Sequence, residues 1–550
     1  MNYLARNRHA YESLVEAVAR LGDRVGPDLR LSLVAQAAWF ATANHPGRFA
    51  DERLENIALA IGADLERLAA RHSADGPRLR LARPAAGRHV LHVATEVAGI
   101  GGHTRTIKNW AELDWDSTHT LALTSQVSAP VPDWIRTAIN RSSGQVIVFP
   151  AAAPPTLRAR WLRDLARDAD IVLVHHFAED VVPVAAFAAP DLPPIAVINQ
   201  SDHVFWLGSS VADTVINLRE IGRTVSEQRR STRHNSLLPI PLEEPAAAGQ
   251  RSVARRRLGI PDDRVILLSV GRPKKYIPTS THNFFATCGA ALAAHAGADL
   301  YLVGVGAEQA PSLVDADVAD RFRCVGAVEA PDDYRAAADI YLEGFPFGSQ
   351  TAMLEAGLCG LAPVPAFAPV SRLLVTQDEA YDGLLAAAPT EHEYLEVVSA
   401  LVRSPGRRRE LGVECTRRVR ACHTGAGWLA RLGGLYEVLA RLAHSPGPVA
   451  PATEAATPDD HGLSLFHAFN TEGGSLGPDL RYKLRRAAFN AAFEAREAGD
   501  YSGARKVLRL ARAAWGDDGA LARAGAKLVP HWLMRRAFRR PRRPEAVVMT

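Results

Sequence analysis

The chain has 550 residues, is 47% hydrophobic and 23% charged, and carries a formal net charge of +4. This fits a globular enzyme of about two to four domains, and so small a charge makes no case for nucleic acid as a partner. The five cysteines lie far apart, with no CxxC pair and no Cys/His spacing typical of zinc, which argues against a disulfide scaffold and for a reducing compartment.

The N-terminal stretch MNYLARNRHAYESLVEAVARL is amphipathic and charged and lacks a signal-peptide core. No run of about 18 apolar residues occurs, so no transmembrane helix is expected and the expected location is cytoplasmic. Residues 1–85 read as a helical domain. Tyr11, Leu14, Val15 and Val18 have helical spacing, as do Leu31, Leu33, Val34, Ala37 and Phe40, and a further amphipathic segment runs through Asp51–Arg71. Trp39 and Phe40 read as core.

At His89 the texture changes to alternating strands and helices. Strands are expected at His89–Thr95, Thr118–Thr124, Gln145–Phe149, Asp170–His175, Ile195–Asn199 and Thr214–Leu218. Residues 86–242 therefore predict an α/β domain with a parallel sheet covered on both faces. Residues 243–262 read as a linker. Residues 263–440 repeat the pattern, with strands at Arg264–Val270, Asp299–Val303, Phe322–Val325, Asp339–Phe345 and Ala362–Ala366. Two Rossmann-like doubly wound units suggest two domains facing a cleft, with ligands beyond the carboxyl ends of the strands. Residues 441–462 are Pro/Ala/Thr-rich and read as a flexible linker. Residues 463–550 read as a helical extension with one tetratricopeptide-like hairpin, broken at Gly499-Asp500-Tyr501, and a basic tail, Arg535–Arg543. The bland reading of that tail is a solvated end; the sharper one is peripheral contact with an anionic surface.

Three strand ends carry chemistry. After Asp339–Phe345, the segment Pro346-Phe347-Gly348-Ser349 makes a turn, and a helix begins with Ser349 as N-cap. A helix N-terminus there favours an anion, with Gly348, Ser349, Gln350 and Thr351 as diphosphate contacts. Glu355 shares a face with Thr351 and can accept from a ribose diol. After the first strand, Gly101 and Gly102 let the backbone approach a ligand, and His103 is the candidate general base because imidazole titrates near neutral pH. After the first strand of the second unit, Arg272, Lys274 and Lys275 supply cations that neutralise a leaving phosphate. A fourth loop, Asn199–Gly208, offers Asp202 and His203 to an acceptor or sugar, a structural polar network being the equal alternative. His175 and His176 also end a strand, and only one of the two can point into a site. No metal-ligand spacing or Walker-type loop is present.

Taken together, these residues resemble a glycosyltransferase of the GT-B fold over about residues 88–440. Retaining GT-B enzymes commonly carry two Glu residues eight apart, whereas Glu343 and Glu355 are twelve apart. That offset is more similar to family 41, which holds O-GlcNAc transferase and the bacterial N-glycosyltransferases that modify adhesins. Phe345-Pro346-Phe347-Gly348 looks like the adhesin-modifying group, and Gly102-His103-Thr104 like the family's His-bearing loop. Two departures stand out: Glu occurs twice where that family usually has Asp, and the Arg272-Pro273-Lys274-Lys275 order looks more like other GT-B enzymes. The resemblance implies a nucleotide-sugar co-substrate, UDP-linked, no cofactor and no metal, and a protein or glycan acceptor. It makes the enzyme a hexosyl- or N-acetylhexosaminyltransferase, with Glu355 on ribose, Ser349, Gln350 and Thr351 on diphosphate, and Lys274 or Lys275 as the phosphate-binding Lys. Inverting and retaining outcomes both stay open. The alternatives are a UDP-sugar epimerase of the same shape and a non-catalytic scaffold.

Overall fold

The computed structural model describes residues 2–69, 79–81, 87–245, 251–309, 316–328, 331–450, 455–470, 480–497, 499–515 and 548–549. The basic tail lies outside the described residues, and so do residues 246–250 and 451–454 of the two expected linkers. None of the described helices is long and apolar enough to cross a membrane.

The first sheet contains β1 (Arg88–Ala94), β2 (Ser117–Leu123), β3 (Val146–Val148), β4 (Ile171–His175), β5 (Ile195–Asn199), β6 (Thr214–Asn217) and β7 (Asn235–Leu237). They are parallel, in the order β3-β2-β1-β4-β5-β6-β7, and Val548–Met549 adds antiparallel outside β3. β7 is absent from the strands expected above. Its residues Asn-Ser-Leu are only half-buried and give no apolar run, so backbone pairing alone makes it a strand. The second sheet contains β8 (Val265–Val270), β9 (Ala298–Val303), β10 (Phe322–Gly326), β11 (Ile340–Leu342) and β12 (Ala362–Val364), parallel in the order β10-β9-β8-β11-β12. β1, β2, β4, β5, β8 and β9 are almost continuously buried because helices cover both faces. The strand order reverses at β1/β4 and at β8/β11, and crevices form beyond the carboxyl ends at such switch points.

The two helical ends of the chain form one layer. Tyr11, Leu14 and Val34 from the N-terminal helices share a core with Leu91 and Val172 of the first sheet and with Ala488, Ala491 and Val507 of the hairpin Leu480–Glu497/Tyr501–Trp515. The helix Gly425–Leu439 leaves the second domain and packs on the first: Trp428, Leu432 and Tyr436 meet Val90, Trp110 and Ile171. The described part of 441–462, expected as a flexible linker, is pinned to the N-terminal helical region and to both domains. His444 bonds Asp213 at 2.8 Å and Phe187 O at 2.7 Å, and Asp460 bonds His45 at 2.8 Å and Arg229 at 3.2 Å. Its composition suits a linker, but these buried polar pairs hold it.

Candidate active site

The first wall of the cleft follows β1. Gly101 adopts φ 137°, a region that disfavours side chains, and a Cβ there would lie 3.0 Å from the Arg272 guanidinium. Gly102 opens the helix Gly102–Leu113, and a Cβ on it would lie 2.9 Å from Thr351 Oγ1 of the other domain. The two glycines therefore let the domains touch. His103 is the second residue of that helix. Its Nδ1 bonds the side-chain oxygen of Gln200, at the end of β5, while its buried Nε2 has no partner. Desolvation lowers the His103 pKa to about 4, with His176 adding to the effect and Gln200 opposing it. At neutral pH the ring is uncharged and Nε2 holds a lone pair ready to accept a proton.

The second wall follows β8. Pro273–Lys275 forms a single 3-10 turn. The Lys275 ammonium donates to Gly348 O and sits 3.7 Å from the Phe347 ring centroid. Burial first, then Lys274, lowers its pKa to about 7, and Glu343 opposes them. Burial and Arg272 likewise lower Lys274. Arg272 reaches across the cleft and donates to Ile100 O.

Next to it, β11 runs into Glu343 and the turn before the helix Gln350–Leu358, with a cis Phe345–Pro346 bond. Ser349 occupies the N-cap position but its side chain makes no capping bond. Gly348 N donates to Leu374 O at 2.6 Å, and a Cβ at Gly348 would collide with Glu343 Oε1. The buried Glu343 carboxylate accepts from Ala366 N at 3.0 Å and Thr376 N at 2.6 Å, so it ties together the loops behind the turn. Burial raises its pKa. Of the twelve-apart acidic pair, only Glu355 faces the cleft.

Glu355 is held by two arginines that sequence reasoning missed. Arg105 Nη1 donates at 3.1 Å from the first domain, and Arg335 donates from the second. Gln350 turns to Asp378, at 3.0 Å. Asp202, read as an acceptor-side group, has both oxygens engaged by Arg219, at 2.6 and 2.8 Å. Arg219 also donates to Val375 O at 2.5 Å and Leu373 O at 2.7 Å, so the pair latches the two domains. Arg219 holds the Asp202 carboxyl well below the usual range against the opposing effect of burial. His203 remains at the cleft, its ring 4.9 Å from Phe347, and burial lowers its pKa. His103, Gly101, Gly102, Arg272, Lys275, Gly348, Thr351 and Glu355 thus converge, and Lys274 and Ser349 flank them. Gln350 and Asp202 spend their side chains on structural bonds. Among the described residues no group of three or more His, Cys, Asp or Glu is placed to hold a metal ion.

No family model matches the sequence, and no curated protein matches it. Solved structures do. A glycosyltransferase from Rickettsia africae aligns over 64% of this chain and 99% of its own at 8% identity, TM-score 0.50. Anabaena Alr3699/HepE, solved with UDP and glucose, aligns over 64% and 100% at 13% identity, TM-score 0.49. An O-GlcNAc transferase mutant from Thermobaculum terrenum covers 75% of this chain and 78% of its own at 14% identity, TM-score 0.45. Such identities speak to fold alone. The fold is GT-B: two facing Rossmann-like domains, here with helical ends and a final helix returning to the first domain.

Proposed function

We propose that the chain is a metal-independent glycosyltransferase that moves a sugar from a nucleotide sugar, UDP-linked, to a protein or glycan acceptor. The observation that carries the reading is the convergence of three strand-end loops: the neutral His103 imidazole on one wall, Lys275 and Arg272 on the other, and the start of the helix Gln350–Leu358 beside them.

In this reading the diphosphate lies between the basic turn and the helix N-terminus, whose dipole and amide groups favour an anion. Lys275 is desolvated and only half-charged near pH 7 when the site is free. An incoming diphosphate returns it to the ammonium form, which then meets the charge that develops as the nucleoside diphosphate leaves. The acceptor enters from the first domain, and His103 Nε2 accepts its proton. Glu355 sits one turn from Thr351, its carboxylate prepositioned by Arg105 and Arg335 for the ribose hydroxyls. The likeness to family 41 rests on the resemblance of the Glu343–Glu355 segment and the His103 loop.

The test is mass spectrometry of candidate protein and glycan acceptors after incubation with a panel of UDP- and GDP-sugars. A mass increment of one hexose or N-acetylhexosamine that depends on His103 is expected. An incubation of donor without acceptor separates the epimerase: conversion of the sugar in place would overturn transfer.

A further inference from the structure

The interior of the first sheet holds a polar thread that the transfer reaction does not itself need. Beneath the helix Gly102–Leu113 the packing is apolar, built on Trp110, Trp428 and Leu173. Through it run three fully buried histidines from three adjacent strands: His175 on β4, His92 on β1 and His119 on β2. Gln200 Nε2 contacts His175 Nδ1 at 3.2 Å. His175 Nε2 contacts His92 Nδ1 at 3.0 Å, and His92 Nε2 contacts His119 Nδ1 at 2.9 Å. His119 Nε2 ends on Asp114 O at 3.0 Å, with Asp114 Oδ2 at 3.4 Å. Asp114 is the C-cap of the helix that His103 begins. The thread therefore runs the length of that helix, from Asp114 back to His103.

Its direction is set at the Asp114 end. Both Asp114 oxygens near His119 are acceptors, and the carboxylate is kept ionised by its bonds to His119 and Tyr436 against burial. His119 Nε2 therefore carries the hydrogen, and in the neutral ring that the scheme takes for His119 its Nδ1 accepts. A neutral imidazole has one donor and one acceptor nitrogen, so His92 donates through Nε2 and accepts at Nδ1, and His175 does the same. Gln200 then turns its NH2 to His175 and its carbonyl oxygen to His103. His103 is left with Nδ1–H, and Nε2 is bare. The reverse polarity would set the His119 Nε2 lone pair against the Asp114 oxygens. Burial keeps His92 and His175 neutral, as the scheme requires.

We propose that this thread is a tautomer lock: Asp114, His119, His92, His175 and Gln200 are positioning residues that fix His103 with Nε2 as the acceptor. The proposal rests on the reading of His103 as the base. The thread is no proton conduit, because the Gln200 amide would have to pass through its imidic acid to carry a proton on. The ring nitrogens bond in series and do not converge on one point, so it is not a metal site either.

The test is a long-range proton–nitrogen correlation spectrum of the full chain labelled with 15N-histidine at neutral pH. The expected result is His103 protonated on Nδ1, with His175, His92 and His119 all protonated on Nε2. His103 protonated on Nε2 would overturn the proposal. In His92→Phe, which keeps a ring of similar size, His103 should become a mixture of tautomers while the fold, followed by far-UV circular dichroism, is retained. An unchanged His103 tautomer in a folded His92→Phe overturns the proposal as well. If that variant does not fold, Gln200→Glu replaces it. Its carboxylate has no hydrogen to give His175, but Asp114 still sets the polarity, so His175 should stay protonated on Nε2, and a His175 switched to Nδ1–H overturns the lock. These spectra need no turnover, so they fail or succeed separately from the base assignment, which falls if His103→Gln keeps full transfer activity.

Discussion

The two walls of the cleft handle charge in opposite ways. On the first wall the groups around His103 are neutral: His103 is desolvated to a pKa of about 4, and behind it stand Gln200 and the buried His175 and His92. On the second wall the groups are ionic: Lys275, Arg272 and Lys274 crowd one turn, and Glu343 lies buried beneath. Low dielectric magnifies both designs, since it costs an unpaired charge heavily and strengthens a paired one. In the proposed reaction a proton is managed on one side and a leaving anion on the other, and the Asp202–Arg219 pair links the two domains.

Substitutions that remove one wall at a time break the comparison. The largest effect is expected for His103→Gln, with transfer falling about 10²–10⁴-fold, the usual worth of a general base, and UDP affinity unchanged by calorimetry. Lys275→Ala should lower transfer by about 10²–10³-fold and, unlike His103→Gln, weaken UDP as well. Equal UDP affinities in the two variants would erase the division of labour. Arg219→Ala removes the latch and strands a buried carboxylate, at about 3–5 kcal/mol of stability, seen as a lower denaturation midpoint. Glu355→Ala should weaken UDP about tenfold without unfolding the protein; unaltered affinity would take the ribose contact away from Glu355.

The effects of pH sharpen the contrast. Lys275 in the free site titrates at about 7, and a bound diphosphate raises that value. UDP binding at pH 7 to 8 should therefore take up a proton, and affinity should fall as pH rises through this range. His103 moves the other way. Its pKa is depressed, so the folded state resists protonation that the unfolded chain accepts below about 6.5. His92 and His175 behave alike. Stability should accordingly be full above pH 6.5 and decline as pH falls toward 4, as followed by thermal unfolding.

The alternation of apolar-rich strands and helices made both sheets legible in the sequence, because strands buried on both faces are rich in apolar residues. The strand ends that carry His103, Lys275 and Ser349 were legible for the same reason. Arg105, Arg335 and Arg219 were not: each is one arginine among many, and its role comes from partners far off in sequence. Asp202 could not be told from an acceptor contact without seeing Arg219. The histidine thread left a signal, since HVLHVAT, THTLALT and the end of β4 each set a histidine inside an apolar strand. Only the register of β1 against β2 and β4 joins them.

The central claim is that the second wall is a nucleotide-sugar donor site. It is tested most directly by titrating UDP into the full chain at pH 7 while following the melting temperature. The account predicts a saturable rise, equivalent to about 2.7 kcal/mol at a concentration a hundredfold above Kd, and its loss in Lys275→Ala. A melting temperature unmoved by millimolar UDP or GDP would contradict it.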